Sequence, residues 1–326
     1  MQKIAIIGAG IAGLTAAREI RRLAGDTVEV IIFEKSRGVS GRMSTRYAAD
    51  FEFDHGAQYF TAKDPVFKRF VKTAMKQGHI ADWSARALYL TDKGLEPDTG
   101  AKRFVATPRM NSLCKIMAQP FDVRLGHRAE KLTRAQSGRW TIKFESHKPQ
   151  SGFDHILLAI PSHQALPLLP RQFSARDAVT KTKMDACFAL MVGHEVLPEF
   201  GWDSLRLTGL PVSWMAVNHS KAGRKSPPST LLIHAAPKWS NHNKDMDRNW
   251  VQIKIENIVS EILDLDISTL RHRVLHRWLY ASVSHSPQES SFYDPDLNLG
   301  VCGDWCLGGR VEGAYLSGLS LAKIIV

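Results

Sequence analysis

Lys3-Ile4-Ala5-Ile6-Ile7-Gly8-Ala9-Gly10-Ile11-Ala12-Gly13 decides the fold of this chain. Lys3 to Ile7 is a short, mostly β-branched run, as expected for a strand buried on both faces of a parallel sheet. The glycines follow at once, and Leu14 to Leu23 then reads as an amphipathic helix ending near Gly25. In a strand, G-x-G-x-x-G, helix context, Gly8 permits the tight turn and Gly10 lets backbone approach a pyrophosphate. Gly13 lets the helix pack closely on the strand. The anion then meets unpaired N–H groups at the positive end of the helix.

Working outward, Val28 to Phe33 reads as a second buried strand, and it ends in Glu34, twenty-one residues beyond Gly13. An acid there accepts hydrogen bonds from both hydroxyls of an adenosine ribose, and it repels a 2′-phosphate, so FAD or NAD is expected rather than NADP. The next segment, Glu34-Lys35-Ser36-Arg37-Gly38-Val39-Ser40-Gly41-Arg42-Met43, separates these two. Glycines and an arginine directly after the ribose acid make a second loop able to wrap the pyrophosphate, with Arg42 as a bidentate phosphate partner. An ordinary NAD dehydrogenase has no need of it, although a basic surface turn would look the same. At the other end, Leu299 to Asp304 is a strand ending in Gly303-Asp304, which places a carboxylate where ribityl hydroxyls can be bound. The small residues Gly313, Ala314, Ser317 and Gly318 then suit a closely packed helix.

These paired ends, with His55-Gly56-Ala57-Gln58-Tyr59-Phe60, resemble the flavin-containing amine oxidase superfamily, and within it the renalase branch, especially its bacterial members. The shared pieces are Arg37 to Met43, Gly56 to Ala62, His276-Arg277-Trp278-Leu279-Tyr280-Ala281, and Gly303-Asp304-Trp305-Cys306 through Gly318, so the resemblance spans the chain. Ser40 departs from it by standing where a glycine is usual. The resemblance implies an α/β fold, a Rossmann-like FAD-binding domain of glutathione-reductase type joined to a mixed-sheet substrate domain. It also places a backbone contact to adenine at Ala129 and sets the 55–60 turn beside the isoalloxazine ring. The covalent flavin cysteine of some members is absent, since Leu279 to Gln288 contains none, so non-covalent FAD is expected.

A length of 326 residues fits about two domains at roughly 100–200 residues each. Residues 1–60, 101–165 and 293–326 are expected to form the FAD-binding domain, and residues 61–100 and 166–292 the substrate domain. Pro65 to Gln77 and Arg248 to Leu263 read as helices, and Ala186 to Val192, Leu231 to Ala235 and Arg273 to Ala281 as long strands. Lys221 to Ser229 is the expected mobile loop. A second strand, G-x-G-x-x-G, helix unit is absent, which disfavours flavoenzymes with a dedicated NAD(P)H domain.

The residues expected to hold the dinucleotide are Gly8, Gly10, Ile11, Ala12, Gly13, Glu34, Lys35, Gly41, Arg42, Met43, Gly56, Ala57, Gln58, Ala129, Gly303, Asp304, Arg310, Val311 and Glu312. Flavin carries its own redox chemistry, so the remaining task is to hold a donor against it. His55, Gln58 and Tyr59 are candidates in the turn, with Trp214, Asn218, His234, Trp239 and Tyr280 as an aromatic box with polar rims. Aromatics in strands are more often core than cage. The amine oxidases of the superfamily use an active-site lysine, and no lysine can be placed in that role by sequence.

With 43 basic against 32 acidic residues the net charge is +11, which invites an anionic partner. Nucleic acid is not expected, because no aromatic-basic motif accompanies the charge. Four cysteines are too few for a disulfide framework in a chain of this length and fit a reducing, cytoplasmic setting. Cys302 and Cys306 lack partners at zinc-binding spacing, so no metal is expected. Ile4 to Ala17 resembles a signal peptide superficially, but it is shorter than the roughly 20 residues a membrane span needs. The renalase resemblance implies oxidation of dihydronicotinamide dinucleotides, the 2- or 6-dihydro isomers of NAD(P), to NAD(P)+ with O2 reduced to H2O2. A small-amine oxidase and a non-catalytic flavin-binding protein are the alternatives.

Overall fold

The computed structural model describes residues 1–326, and the chain divides into two units. The first comprises Met1–Met43, Cys114–Met184 and Val283–Val326. Its six-stranded sheet has the order Phe292–Asp294, Leu299–Val301, His155–Leu158, Gln2–Ile7, Val28–Phe33, Asp122–Arg124, parallel except for the first strand. Ile4, Ile6, Val30 and Ile32 are buried on one face and Ala5, Ile7, Ile31 and Phe33 on the other, as both-face coverage of a parallel sheet demands. The helix Ile11–Ala24 ends at Gly25, whose positive φ of 58° terminates it. It packs against Arg310–Ile325 so closely that a Cβ on Gly318 would collide with the Ala12 carbonyl. An antiparallel sheet of Ala129–Arg134, Trp140–Phe144 and Gln150–Phe153 adds Trp140, Ile142 and Phe144 to the same core.

The second unit comprises Ser44–Leu113 and Asp185–Ser282. Its seven-stranded sheet runs His272–His285, Lys183–His194, Ser229–Ala235, Val212–Val217, Ser204–Leu207, Ala87–Thr91, Gly94–Pro97. Successive side chains alternate between the two faces. Phe188, Leu190, Val192, Leu231 and Ile233 share a core with Val251, Ile255 and Val259 of the helix Arg248–Leu263. Met191, Leu232 and Val274 point the other way, onto Phe51 and Phe53. Gly193 is required there, because a Cβ would stand 2.6 Å from the Phe51 ring.

These units are cut differently from the expected domains, for reasons of packing. Residues 44–60 belong to the second unit because Phe51 and Phe53 are buried on its sheet, and residues 101–113 follow because Phe104–Ala106 pairs with Ile80–Asp82. Residues 166–184 join the first unit through Leu168, Leu169, Phe173 and Val179, and residues 283–292 through Val283 and Phe292. The strands Ser204–Leu207 and Val212–Val217 lay outside the sequence reading. No helix is long and apolar enough to cross a membrane.

Candidate functional site

In the first unit the glycines divide into two kinds. A Cβ on Gly8, whose φ is +111°, would strike the Ala159 carbonyl, and one on Gly13 would strike the carbonyl of Gly8. Those two are demanded by the protein's own packing. A Cβ on Gly10 would meet nothing within 4 Å, so that position opens a cradle at the start of the Ile11–Ala24 helix. The helix has no side-chain cap and no acid in its first turn, and the N–H groups of a first turn lack intrahelical partners. This arrangement fits a pyrophosphate.

Glu34 is 6% exposed and shapes the turn from below. Its carboxylate accepts from the Ala9 N–H at 2.9 Å and the Ser36 N–H at 2.8 Å, one on each oxygen, leaving each a further lone pair for a ribose hydroxyl. The second loop presses on the first, with the Ser40 N–H donating to Ala9 O at 2.9 Å and Gly41 beside Gly10. Ser40 keeps a glycine-like φ of 103°, so the departure from the family pattern is stored as backbone strain. Met43 is buried beneath the loop, while Lys35 donates to Gln164 at 3.0 Å.

Arg42 differs from its expected role as a phosphate partner: Nη1 and Nη2 donate to Oδ2 and Oδ1 of Asp304 at 2.8 and 2.5 Å. The loop arginine and the C-terminal carboxylate are therefore one paired device, in which the guanidinium fork fixes the orientation of the carboxylate. Beyond it the Arg310–Ile325 helix begins after Gly308 and Gly309, both at positive φ, again without a side-chain cap. Val311 and Glu312 lie buried in its first turn. Cys302 and Cys306 are packed thiols whose pKa burial raises, Cys306 to about 12. Ala129 opens the strand Ala129–Arg134, opposite Phe144.

The second unit holds the other candidates, in three groups. Lys221, fully buried, donates from Nζ to Gln58 Oε1 and Asn218 Oδ1, both at 3.0 Å, and stands 3.8 Å from Asp54. Asp54 also receives Arg224 at 2.5 Å and the Thr45 hydroxyl at 2.7 Å. Burial pushes the Asp54 carboxyl up, but Lys221 and Arg224 outweigh that and hold it below its ordinary value. Burial lowers Lys221 to about 7 against the pull of Asp54. Gln58 uses its amide N–H groups on the carbonyls of Asp54 and Gly56 at 2.5 and 3.0 Å. Its donors are thus spent on the turn that carries Gly56 and Ala57, and only Oε1, which already accepts from Lys221, keeps a lone pair for a further donor. In the segment from Lys221 to Ser229, Lys221 and Arg224 are anchored inside the unit by Asp54, while Lys225, Ser226 and Pro227 are exposed.

His55 forms the second group. Its ring lies 4.9 Å from His276, edge-on, and 5.0 Å from Trp278, while its carbonyl accepts from Trp278 Nε1 at 2.9 Å and lies 3.2 Å from His234 Nε2. Burial lowers all three imidazoles, reinforced for His55 by His276, Arg46 and His234: His55 to about 3, His234 and His276 to about 4. All three are neutral at pH 7. The third group is Tyr59, with Trp83 at 6.1 Å and Trp214 at 5.6 Å. Trp214 pairs across strands with His234, so the second and third groups share one face of the sheet. Tyr280 joins that face, two residues beyond Trp278 on the same strand. Trp239 does not: it sits on the Pro237–Asn243 helix against Phe188, in the helix-covered core. A local sequence cannot show on which side of the sheet a helix after a strand will lie.

Residues 6–74 match a model of NAD(P)-binding Rossmann-like domains, and residues 75–326 match the flavin containing amine oxidoreductases. The chain belongs to the flavin containing amine oxidoreductase family. It is 22% identical to mouse renalase over 348 aligned positions, covering all of this chain and 99% of that one. Two solved structures share the fold over 99% of this chain and 98% of theirs. One, from Exiguobacterium sp. 255-15 and provisionally named a protoporphyrinogen oxidase, is 12% identical with a TM-score of 0.80. The other, putrescine oxidase bound to putrescine, is 14% identical with a TM-score of 0.73.

As a flavin-dependent oxidoreductase of this family the protein uses FAD, and the open cradle at Gly10, the half-satisfied Glu34 and the Arg42–Asp304 pair suit that group. Sequence reading missed Lys221, Arg224, His276 and Trp278 in this flavoprotein. His276 and Trp278 had a readable signal, since positions 274, 276 and 278 alternate on a strand facing the His55 turn. Lys221 had none, because nothing local distinguishes a buried lysine from a solvated one.

Proposed function

We propose that this chain oxidises dihydronicotinamide dinucleotides, the 2- or 6-dihydro isomers of NAD(P), to NAD(P)+, with O2 as acceptor and H2O2 as product. The observation that carries this reading is the correspondence with renalase along the whole of both chains, the branch resembled by Gly56 to Ala62 and Gly303 through Gly318. Bound non-covalently, FAD would supply the two-electron redox chemistry that joins oxidation of the donor to reduction of O2. Gly10, Glu34 and the Arg42–Asp304 pair hold the dinucleotide cofactor. His55, Tyr59, Trp214, His234, His276 and Trp278 offer the donor an aromatic surface whose imidazoles are neutral.

That electrostatic character suits the proposed substrate. A dihydropyridine gives up a hydride without first losing a proton, so imidazoles held at about 3 to 4, too weak to act as bases near pH 7, are no handicap. Their neutrality also avoids repelling the cationic nicotinamide product. One observation favours oxidation of a small amine instead: Lys221, at about 7, is a buried lysine able to exchange a proton with an ammonium substrate. Its Nζ is however already engaged by Gln58 and Asn218.

The deciding experiment is anaerobic single-turnover flavin reduction, followed at about 450 nm where oxidised flavin absorbs. Donors are 2-dihydro-NAD, 6-dihydro-NAD, NADH and a panel of catecholamines at matched concentration. Fast bleaching by the dihydro isomers is expected. Bleaching by an amine alone assigns the amine reaction instead.

A further inference from the structure

On the same sheet face as His234 a row of side chains crosses four adjacent strands in register: His234 beside Trp214, Trp214 beside Arg206, Arg206 beside Tyr89. Cross-strand partners share a face, and strands lie about 4.8 Å apart, so Arg206 stands two strands, about 10 Å, from His234. Its guanidinium is clamped between the rings of Trp214, at 5.2 Å, and Tyr89, at 5.5 Å. Nη2 donates to the Tyr59 hydroxyl at 3.0 Å.

The charge of Arg206 is poorly answered. Asp98 is the nearest carboxylate, but its Oδ2 is taken by Arg103 at 2.5 Å and its Oδ1 by the Gly100 N–H at 3.2 Å. Arg206 Nε lies 3.7 Å from Asp98, beyond hydrogen-bond reach, and has no partner. Nη1 makes no hydrogen bond, although the side chain is 36% exposed. Two guanidiniums thus share one carboxylate. The second is held rigid by stacking, with most of its N–H groups unspent and one unit of positive charge in excess.

We propose that Arg206, positioned by Tyr59, Tyr89 and Trp214 and backed by Arg103, is a phosphate-binding subsite that selects substrates carrying a phosphate or pyrophosphate. It rests on the dihydronicotinamide reading in taking that phosphate to be the substrate's own. A nicotinamide ring held near His234 would send its ribose along the row, bringing the 5′-phosphate to the guanidinium fork. Binding energy from this remote group then positions the reacting ring.

The test uses FAD-loaded enzyme, whose cofactor cradle is filled. Calorimetric titration with inorganic pyrophosphate is expected to show binding that weakens ten- to hundredfold in Arg206→Gln and only partly recovers in Arg206→Lys, which keeps the charge but not the fork. Lys72→Gln removes an equal charge from the exposed face of the Pro65–Lys76 helix and serves as the control. No pyrophosphate binding by wild type, or equal weakening by Lys72→Gln and Arg206→Gln, overturns the subsite. In kinetics, the kcat/KM of the dihydro dinucleotide relative to its nicotinamide riboside fragment is expected to fall ten- to hundredfold in Arg206→Gln. An unchanged ratio shows that the subsite does not read substrate phosphate. Arg206-dependent pyrophosphate binding with no flavin reduction by any dihydronicotinamide leaves the anion subsite standing and refutes the substrate.

Discussion

Replacing His55 with phenylalanine is expected to make the protein more resistant to acid. The imidazole is 5% exposed, its Nδ1 has no hydrogen-bond partner, and burial with His276, Arg46 and His234 holds it at about 3. An unfolded histidine titrates near 6.5, so between about 3 and 6.5 the unfolded chain binds more protons than the folded one. Folding stability is therefore undiminished above about 6.5 and declines as pH falls through that window. With 1.36 kcal/mol per pKa unit, the linkage costs about 1.4 kcal/mol at pH 5.5 and about 2.7 kcal/mol at pH 4.5, relative to pH 7. Phenylalanine preserves the ring contacts with His276 and Trp278 and gives up only the interaction of the imidazole with the Phe53 backbone, a loss that is the same at each of these pH values while His55 stays neutral in the folded protein. Urea unfolding of wild type and His55→Phe at pH 7, 5.5 and 4.5 should show a stability difference that shifts in favour of the variant by those amounts. Parallel pH profiles would refute the argument, because they would mean that His55 is no more reluctant to charge in the folded protein than in the unfolded chain.

Glu34→Ala and Asp304→Ala should each weaken FAD binding about ten- to hundredfold, since each removes a charged acceptor for sugar hydroxyls, a contribution of roughly 1.5–3 kcal/mol; the ratio of flavin absorbance to protein after dialysis measures it. Acid precipitation should release the yellow cofactor into the supernatant, whereas colour retained in the pellet would mean a covalent link. Ser40→Gly should raise stability by about 1 kcal/mol without loss of FAD, because φ of 103° strains serine and not glycine; a lower urea midpoint would contradict this. Lys221→Met should cost about 2–4 kcal/mol at pH 7 by stranding Gln58 Oε1 and Asn218 Oδ1. With its folded value at about 7, below the ordinary 10.5, Lys221 also makes wild-type stability rise with pH across that interval. The variant should lose that rise.

The nucleotide unit was legible because its determinants are local. Gly8, Gly10 and Gly13 sit within one turn, and Glu34 ends the neighbouring strand, so spacing along the chain is nearly spacing in the fold. Even there the reading stopped at residue types. Arg42 and Asp304 were each assigned to a ligand, and only the fold, which joins residues 262 positions apart, reveals that they grip one another.

The second unit was legible only as sheet and helix, because its chemistry depends on register. Whether an aromatic faces the core or the site is decided by strand parity, and parity is lost wherever the sequence gives no strand. Ser204–Leu207 is short and contains a central arginine, so neither periodicity nor composition marks it as a strand, and the face shared by Tyr89, Arg206, Trp214 and His234 could not be assembled. Trp239 shows the converse, an aromatic of the right type in the right stretch that the Pro237–Asn243 helix carries to the other side. Buried charge is hidden for a further reason. Lys221 and Arg224 lie in a segment rich in lysine, proline and serine, the composition of a solvated loop. What places them inside is Asp54, 167 and 170 residues earlier, whose carboxylate would be stranded in the core without them. The loop is fixed by the acid it neutralises, and that acid belongs to the turn carrying His55, Gln58 and Tyr59. The cations therefore act on the site through the turn they hold in place.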